Sequence, residues 1–231
     1  MAGSVGNITT DIIKKGLVFN FDAANRASTI PSTSTDKTFN TIDLSQSGSF
    51  TADAQFDSST ISPSFNLDGT GDYINLGNDS ILNFSKYTFS VWVKLSNTNN
   101  QTFIGKGLSK NYGFGISVGN IYHNIKTSAG WGGNESTSVS GNISTDTWQN
   151  VVGTYDEVNI KVYVDGEFKS SLAKAGPIVY SSSNTEIGHI GDDYNGYYVT
   201  GNMGPIQIYN RALSASEILH NYNALKGRFG L

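Results

Sequence analysis

The residues able to do chemistry in this chain are few and far apart. Retaining hydrolysis of a glycosidic bond needs two carboxyl groups about 5 to 5.5 Å apart, which a strand supplies by acidic residues two or four positions apart. The five glutamates, Glu135, Glu157, Glu167, Glu186 and Glu217, are scattered, and none has an acidic residue two, four or five positions later. Asp192 and Asp193 are adjacent, so a strand would turn them to opposite sides. His123, His189 and His220 lack H-E-x-x-H spacing, and neither a G-x-S-x-G elbow nor a G-x-x-x-x-G-K-[ST] loop is present. Lone histidines in such a setting are more often packing or surface residues than catalysts. The chain therefore reads as non-enzymatic, with no required cofactor.

Binding chemistry is better represented. "DGTGDYINLG" (68–77) concentrates turn-forming and oxygen-bearing residues, but it has no Lys and opens no helix, so it is not a phosphate loop. Calcium is the ion such loops suit, because it takes hard oxygens from carboxylates, amides and carbonyls. Asp22, Asp68 and Asp72 are the candidate ligands, with Asp192 and Asp193 as further acidic positions. Asx-turns at strand ends account for the same aspartates without a metal. For an organic ligand, "YHNIKTSAGWGGNES" and "GHIGDDYNGYY" set His123, Trp131, Asp192, Asp193, Tyr194 and Tyr197 among Gly and Asn in loop-like sequence. Aromatic faces beside amides and carboxylates suit a glycan. Loop aromatics that cap a sandwich core are the alternative reading.

The elements that must position these residues are strands. Alternation of period two recurs in "GLVFNFD", "SFNLDG", "DYINLG", "YTFSVWVKLS", "QTFIGKG", "YGFGISVGNIYHNI", "WQNVVGTYD", "NIKVYVDGEF", "TEIGHIG" and "GPIQIYN", giving about ten strands. In "YTFSVWVKL", Phe89, Val91, Val93 and Leu95 share the core face and Trp92 lies opposite. Asp165-Gly166 can take a type I′ turn, with Ile160, Val162 and Val164 inward and Lys161 and Tyr163 outward. One helix is predicted, over 214–228, opened by a Ser214/Glu217 capping box and carrying an apolar stripe of Ile218, Leu219, Tyr222 and Leu225. Residues 27–63 read as a polar wrapping connection with one or two short strands. Residues 1–15 read as an arm that docks on a neighbour or frays, and 16–231 as a single domain.

Composition narrows the partners. Over 231 residues, charged residues make up only 15% and the net charge is −4, with no Lys/Arg cluster, which argues against nucleic acid or anionic lipid as partner. The absence of cysteine removes disulfides, thiolate metal sites and a cysteine nucleophile. No stretch approaches a membrane span, so no membrane insertion is expected, and the amino terminus lacks the pattern of a secretory signal.

"FNLDGTGDYINLG", "YTFSVWVKLS", "DTWQNVVGTYDEVNIKVYVDGE" and, most specifically, "IYNRALSASEI" resemble the concanavalin A-like lectin/glucanase superfamily in its laminin-G-like branch, over roughly residues 16 to 220. The resemblance implies an all-β fold, an antiparallel jelly-roll sandwich of two sheets, with one short C-terminal helix. It also implies that "DGTGDYINLG" is a tight connection between sheet strands. The hydrolase branch's Glu-x-Asp-x-x-Glu strand is absent, and Gly204 and Pro205 stand where an acidic pair is common, which weakens the case for metal. "FDAANRAS", "IDLS" and "NYNALKGRFGL" resemble family members from bacteriophage and environmental viral proteins. The expectation is a virion-surface protein, made in the host cytoplasm, serving as capsid decoration or tail adhesion module. Its expected partners are other virion proteins, further copies of itself and a host-surface glycan. A freestanding lectin, or a binding module of a polysaccharide-degrading system, is the alternative.

Overall fold

The computed structural model describes residues 11–25, 27–28, 37–43, 45–57, 62–107, 111–128, 143–191 and 195–231. Fifteen strands follow in chain order: β1 (Leu17–Phe21), β2 (Lys37–Phe39), β3 (Ser47–Thr51), β4 (Gln55–Asp57), β5 (Ser64–Asp68), β6 (Tyr73–Gly77), β7 (Tyr87–Leu95), β8 (Gln101–Gly105), β9 (Tyr112–Ser117), β10 (Asn120–Ile125), β11 (Gln149–Tyr155), β12 (Asn159–Val164), β13 (Glu167–Ala173), β14 (Thr185–Ile187) and β15 (Thr200–Tyr209). One helix, α1 (Ala215–Leu225), continues into a 3-10 turn at Lys226–Phe229. None of the described helices is long and apolar enough to cross a membrane.

The strands form two antiparallel sheets. The back sheet has the order β13-β12-β11-β7-β15-β5-β4, with β1 also paired to β15, and the front sheet has the order β10-β9-β8-β14-β6-β3-β2. Two of the ten alternating segments prove to be hairpins, turning at Val118-Gly119 and at Asp165-Gly166, and the polar stretch 27–63 supplies three short strands. Asp165 and Gly166 have φ of 51° and 81°, as a type I′ turn demands. Pro205 sits where the β15 register shifts between Met203 and Ile206, a bulge being one of the few sheet positions that tolerates a residue without an N–H. There β15 exchanges one neighbour for another, pairing β5 up to Met203 and β1 from Ile206.

Between the sheets lies the main core, which includes Phe19, Phe65, Phe89, Val91, Val93, Phe103, Phe114, Val162 and Ile206. A second, smaller apolar cluster forms on the outer face of the back sheet, where α1 covers Leu17, Val152, Tyr163 and Tyr209 with Leu213 and Ile218. Trp92 points to this outer face and is fully buried, stacked on Phe229 (4.2 Å, 18°) and Tyr222 (5.7 Å, 9°). Trp148 packs on the other side of Phe229 at 4.7 Å. Gly204 makes room for this pile, since a Cβ there would lie 3.0 Å from Trp92 Cβ and 3.2 Å from Phe229.

The helix opens as predicted, with Ser214 Oγ accepting from Glu217 N and the Glu217 carboxylate accepting from Ser214 N. Its stripe differs in detail. Leu219 is 46% exposed, whereas the polar Asn221 is buried, because Asn221 Oδ1 accepts from Ile13 N (2.8 Å) and its Nδ2 donates to the Tyr209 hydroxyl (2.9 Å). Residues 11–15, assigned to the arm by sequence, are thus held against the domain, with Tyr209 donating to Ile13 O and Arg211 Nε to Lys15 O.

Candidate functional site

The outer face of the front sheet carries a polar and aromatic assembly. Ile74 on β6, Ile104 on β8 and Ile187 on β14 face the core, so alternation sends Tyr73, Gly105 and Glu186 outward. After β14 the chain turns at Gly188 (φ 86°) and crosses this outer face. It passes so close that a Cβ on Gly105 would lie 2.6 Å from Ile190 Cα and 2.7 Å from His189 O. Farther along, Thr102 N donates to Tyr197 O (2.8 Å), pinning the crossing segment to β8.

Three rings cluster in a triangle here, with Tyr73 and Tyr198 6.4 Å apart. His189 stacks on Tyr198 with centroids 4.3 Å apart and planes at 10°, and Tyr73 lies 5.3 Å from His189. Behind the rings, His189 Nδ1 is 2.5 Å from Glu186 Oε2, and the two side chains are 4% and 1% exposed. Tyr73 and Tyr198 remain half-buried, so each keeps a surface toward solvent. Burial raises the Tyr198 phenol above its usual range, and the nearby Tyr73 and Glu186 raise it further. Lys106, fully buried at the end of β8, donates from Nζ to Asn78 Oδ1 (2.6 Å). The arrangement can offer ring faces to C–H groups and hydrogen-bonding groups to hydroxyls.

Of the residues singled out from sequence, Tyr197 belongs to this face. It is half-buried, with a left-handed φ of 61°, a conformation a non-glycine residue holds only when its surroundings impose it. His123 does not reach a ligand loop, and the expectation is corrected: it lies on β10, fully buried, between Phe114, Phe89 and Tyr87. Its Nε2 is 2.7 Å from the Tyr87 hydroxyl, and burial pushes its pKa down to about 3. Trp131, Asp192, Asp193 and Tyr194 lie outside the described residues.

The three candidate calcium ligands separate. Asp22 is gripped by Arg228, with Nη1 to Oδ2 at 2.8 Å and Nη2 to Oδ1 at 2.9 Å. Asp68 and Asp72 do come together, joined by Asp53, with one carboxylate oxygen from each within 4.8 Å of the others. Asp72 accepts from Asp68 N (2.9 Å) and Asp53 N (3.1 Å), while Asp68 Oδ1 accepts from Thr70 N (2.6 Å). These bonds tie the β5–β6 connection, which passes from the back sheet to the front one. Burial raises the Asp72 pKa; the Asp68 N–H opposes this, and the Asp68 and Asp53 charges add to it. Each carboxylate oxygen keeps a further lone pair, so Asp53, Asp68 and Asp72 are the residues that could hold a hard cation.

Sequence reasoning missed Tyr73, Glu186, His189 and Tyr198. Glu186 and His189 were visible as an acid and a histidine three apart in "TEIGHIG", and Tyr198 as the second half of a tyrosine pair. Nothing local in the sequence brings Tyr73 to them from across the sheet.

Several solved structures share the fold. Domain 4 of AbnA, a GH43 extracellular arabinanase from Geobacillus stearothermophilus solved with arabinotriose, matches with TM-score 0.66 and 18% identity over 89% of this chain and 98% of that one. The binding domain of Paraclostridial Mosquitocidal Protein 1 gives TM-score 0.70 and 16% identity over 90% of this chain and 52% of that one. The binding domain of botulinum neurotoxin DC, solved with SialylT, gives 0.67 and 13% over 91% and 52%, so the chain spans about half the length of these toxin domains. No curated protein sequence matches. The family model described as Concanavalin A-like lectin/glucanases superfamily, of laminin-G type, matches residues 68–219, and the chain belongs to that family.

Proposed function

We propose that this chain is a non-enzymatic carbohydrate-binding domain that takes its glycan on the outer face of the front sheet. The observation that carries the reading is the half-open Tyr73/His189/Tyr198 ring cluster braced by the buried Glu186. A sugar ring would lie on Tyr198 or Tyr73, with hydroxyls directed to groups along the crossing segment. The arabinotriose held by AbnA Domain 4 and the SialylT held by the botulinum DC domain support the ligand class. Glu186 Oε2 meets His189 Nδ1, so this carboxylate positions a ring of the face, a role suited to binding. A glycan array followed by calorimetry on the wild type and Tyr198→Ala tests this. Binding that Tyr198→Ala abolishes is expected; no binding, or binding unchanged in the variant, overturns the proposal.

Within that reading, calcium at Asp53, Asp68 and Asp72 would act structurally, as a brace on the β5–β6 connection. A melting temperature equal in calcium and in chelator would rule it out. The biological setting we favour is display on a virion, as decoration or adhesion module alongside other virion proteins, on the resemblance of "FDAANRAS" and "NYNALKGRFGL" to viral family members. Mass spectrometry of purified particles decides this, and absence from them would leave the freestanding lectin reading.

A further inference from the structure

Asn195 and Gly196 form the one Asn-Gly pair in the sequence. They sit outside regular structure, immediately before the ring-bearing Tyr197 and Tyr198, and Asn195 is exposed. Among the described residues, neither the Asn195 side-chain amide nor the Gly196 N–H makes a hydrogen bond. The reacting groups of a succinimide are therefore both unrestrained, and glycine places no Cβ in the path of ring closure.

The two Asp-Gly pairs, open to the same ring closure in principle, are held differently. Asp68 Oδ1 accepts from Thr70 N (2.6 Å) and Asp165 Oδ1 accepts from Asn150 N (2.8 Å). Their carboxylates are fixed in turns, away from free rotation onto the next amide.

We propose that Asn195-Gly196 is a self-modification site on the rim of the proposed glycan face, where deamidation creates a carboxylate. The Gly196 nitrogen loses its proton and attacks Asn195 Cγ; the N–Cγ bond forms, the Cγ–Nδ2 bond breaks, and ammonia leaves with the proton. Solvent water then opens the succinimide at either carbonyl, giving aspartate or isoaspartate, with the carboxyl proton released to solvent. The charge rises by one negative unit, and in the isoaspartate form the backbone gains a methylene just before Tyr197. Tyr197 holds its left-handed φ of 61° only under the constraint of its neighbours, so a longer chain there loosens its ring. The effect on ligand rests on the glycan-binding reading; the chemistry does not.

Purified full-length protein, aged at mildly alkaline pH and analysed by peptide mass spectrometry, tests the site. Conversion at Asn195 ahead of every other asparagine, and its suppression in Gly196→Ala, is expected. Conversion elsewhere first, or none, overturns the proposal. Calorimetry of Asn195→Asp against Asn195→Gln with a sialylated oligosaccharide then reads the consequence, a loss of about fivefold for the acidic variant, the size of one exposed charge interaction. If no form binds any glycan, the binding reading fails while the mass result still decides the modification.

Discussion

The two outer faces of the sandwich each carry a stack of rings, and they are built to opposite ends. On the back sheet, Trp92 is sealed under Tyr222 and Phe229, with Trp148 alongside, α1 above and Arg228 locked to Asp22. On the front sheet, Tyr73, His189 and Tyr198 form a cluster with both tyrosines half in solvent, and the buried Glu186 meets His189 beneath it. A ring pile closed by apolar partners gives stability. A ring cluster left open over a buried hydrogen-bonded pair leaves ring surface available to a ligand.

The largest effect expected is at the sealed stack. Trp92→Ala should lower unfolding free energy by about 3–5 kcal/mol in a denaturant titration, the range for deleting a large buried aromatic, while the folded fraction keeps the wild-type response in the proposed glycan-binding assay. A loss of affinity equal to that of Tyr198→Ala would erase the distinction between the faces.

Between the faces, His123 sets an acid limit. Its folded pKa of about 3 lies below the unfolded 6.5, so the unfolded chain takes the proton first. The stability it contributes is full above about pH 6.5 and is lost as pH falls toward 3. His123→Gln, which keeps an acceptor for the Tyr87 hydroxyl, should flatten that part of the melting temperature against pH curve; an unchanged slope would place the acid sensitivity elsewhere.

The open stack should respond in the reverse sense to Trp92. Tyr198→Ala is expected to weaken glycan binding by more than about tenfold, as for an aromatic contact residue. Thermal unfolding should shift only by the equivalent of about 1 kcal/mol, the scale of one aromatic pair. A collapse of stability with no binding change would make this pile a second structural stack.

Smaller effects concern the cover of the sealed face. Ser214→Ala removes the helix cap and should cost about 1 kcal/mol by denaturant titration. Glu217 is held down to about 2, first by Arg211 and further by Ser214, against the opposing effect of burial. Its folded pKa is depressed, so its contribution is full above about 4.5 and fades as pH falls through 2. Glu217→Gln should remove that low-pH fraction of the melting curve and leave neutral-pH binding untouched.

How far the sequence carried these assignments depended on the range of the interaction. Trp92 opposite Phe89 and Val91, the Asp165-Gly166 turn and the Ser214 cap are set by residues within four positions, and alternation or capping chemistry exposes them. Asn221 replacing Leu219 as the buried helix residue needed Ile13 and Tyr209, which meet it only after folding. Asp53 joins Asp68 across intervening strands, and Tyr73 meets His189 from the neighbouring strand, so no spacing rule marks either. His123 was misplaced for a related reason: its strand alternates Ile121, His123 and Ile125 inward, and polarity outweighed pattern in the reading.

The position of β15 has a kinetic consequence. Near the end of the chain, it lies in the middle of the back sheet, against β7 on one side and β5 and β1 on the other. Until it arrives, those strands have unpaired edges and the chain is dominated by contacts distant in sequence, the condition under which folding is slow and association between chains competes. A growing polypeptide therefore cannot complete this sheet until β15 has been synthesised, about 180 residues after β1, and the Arg228 grip on Asp22 must come after that.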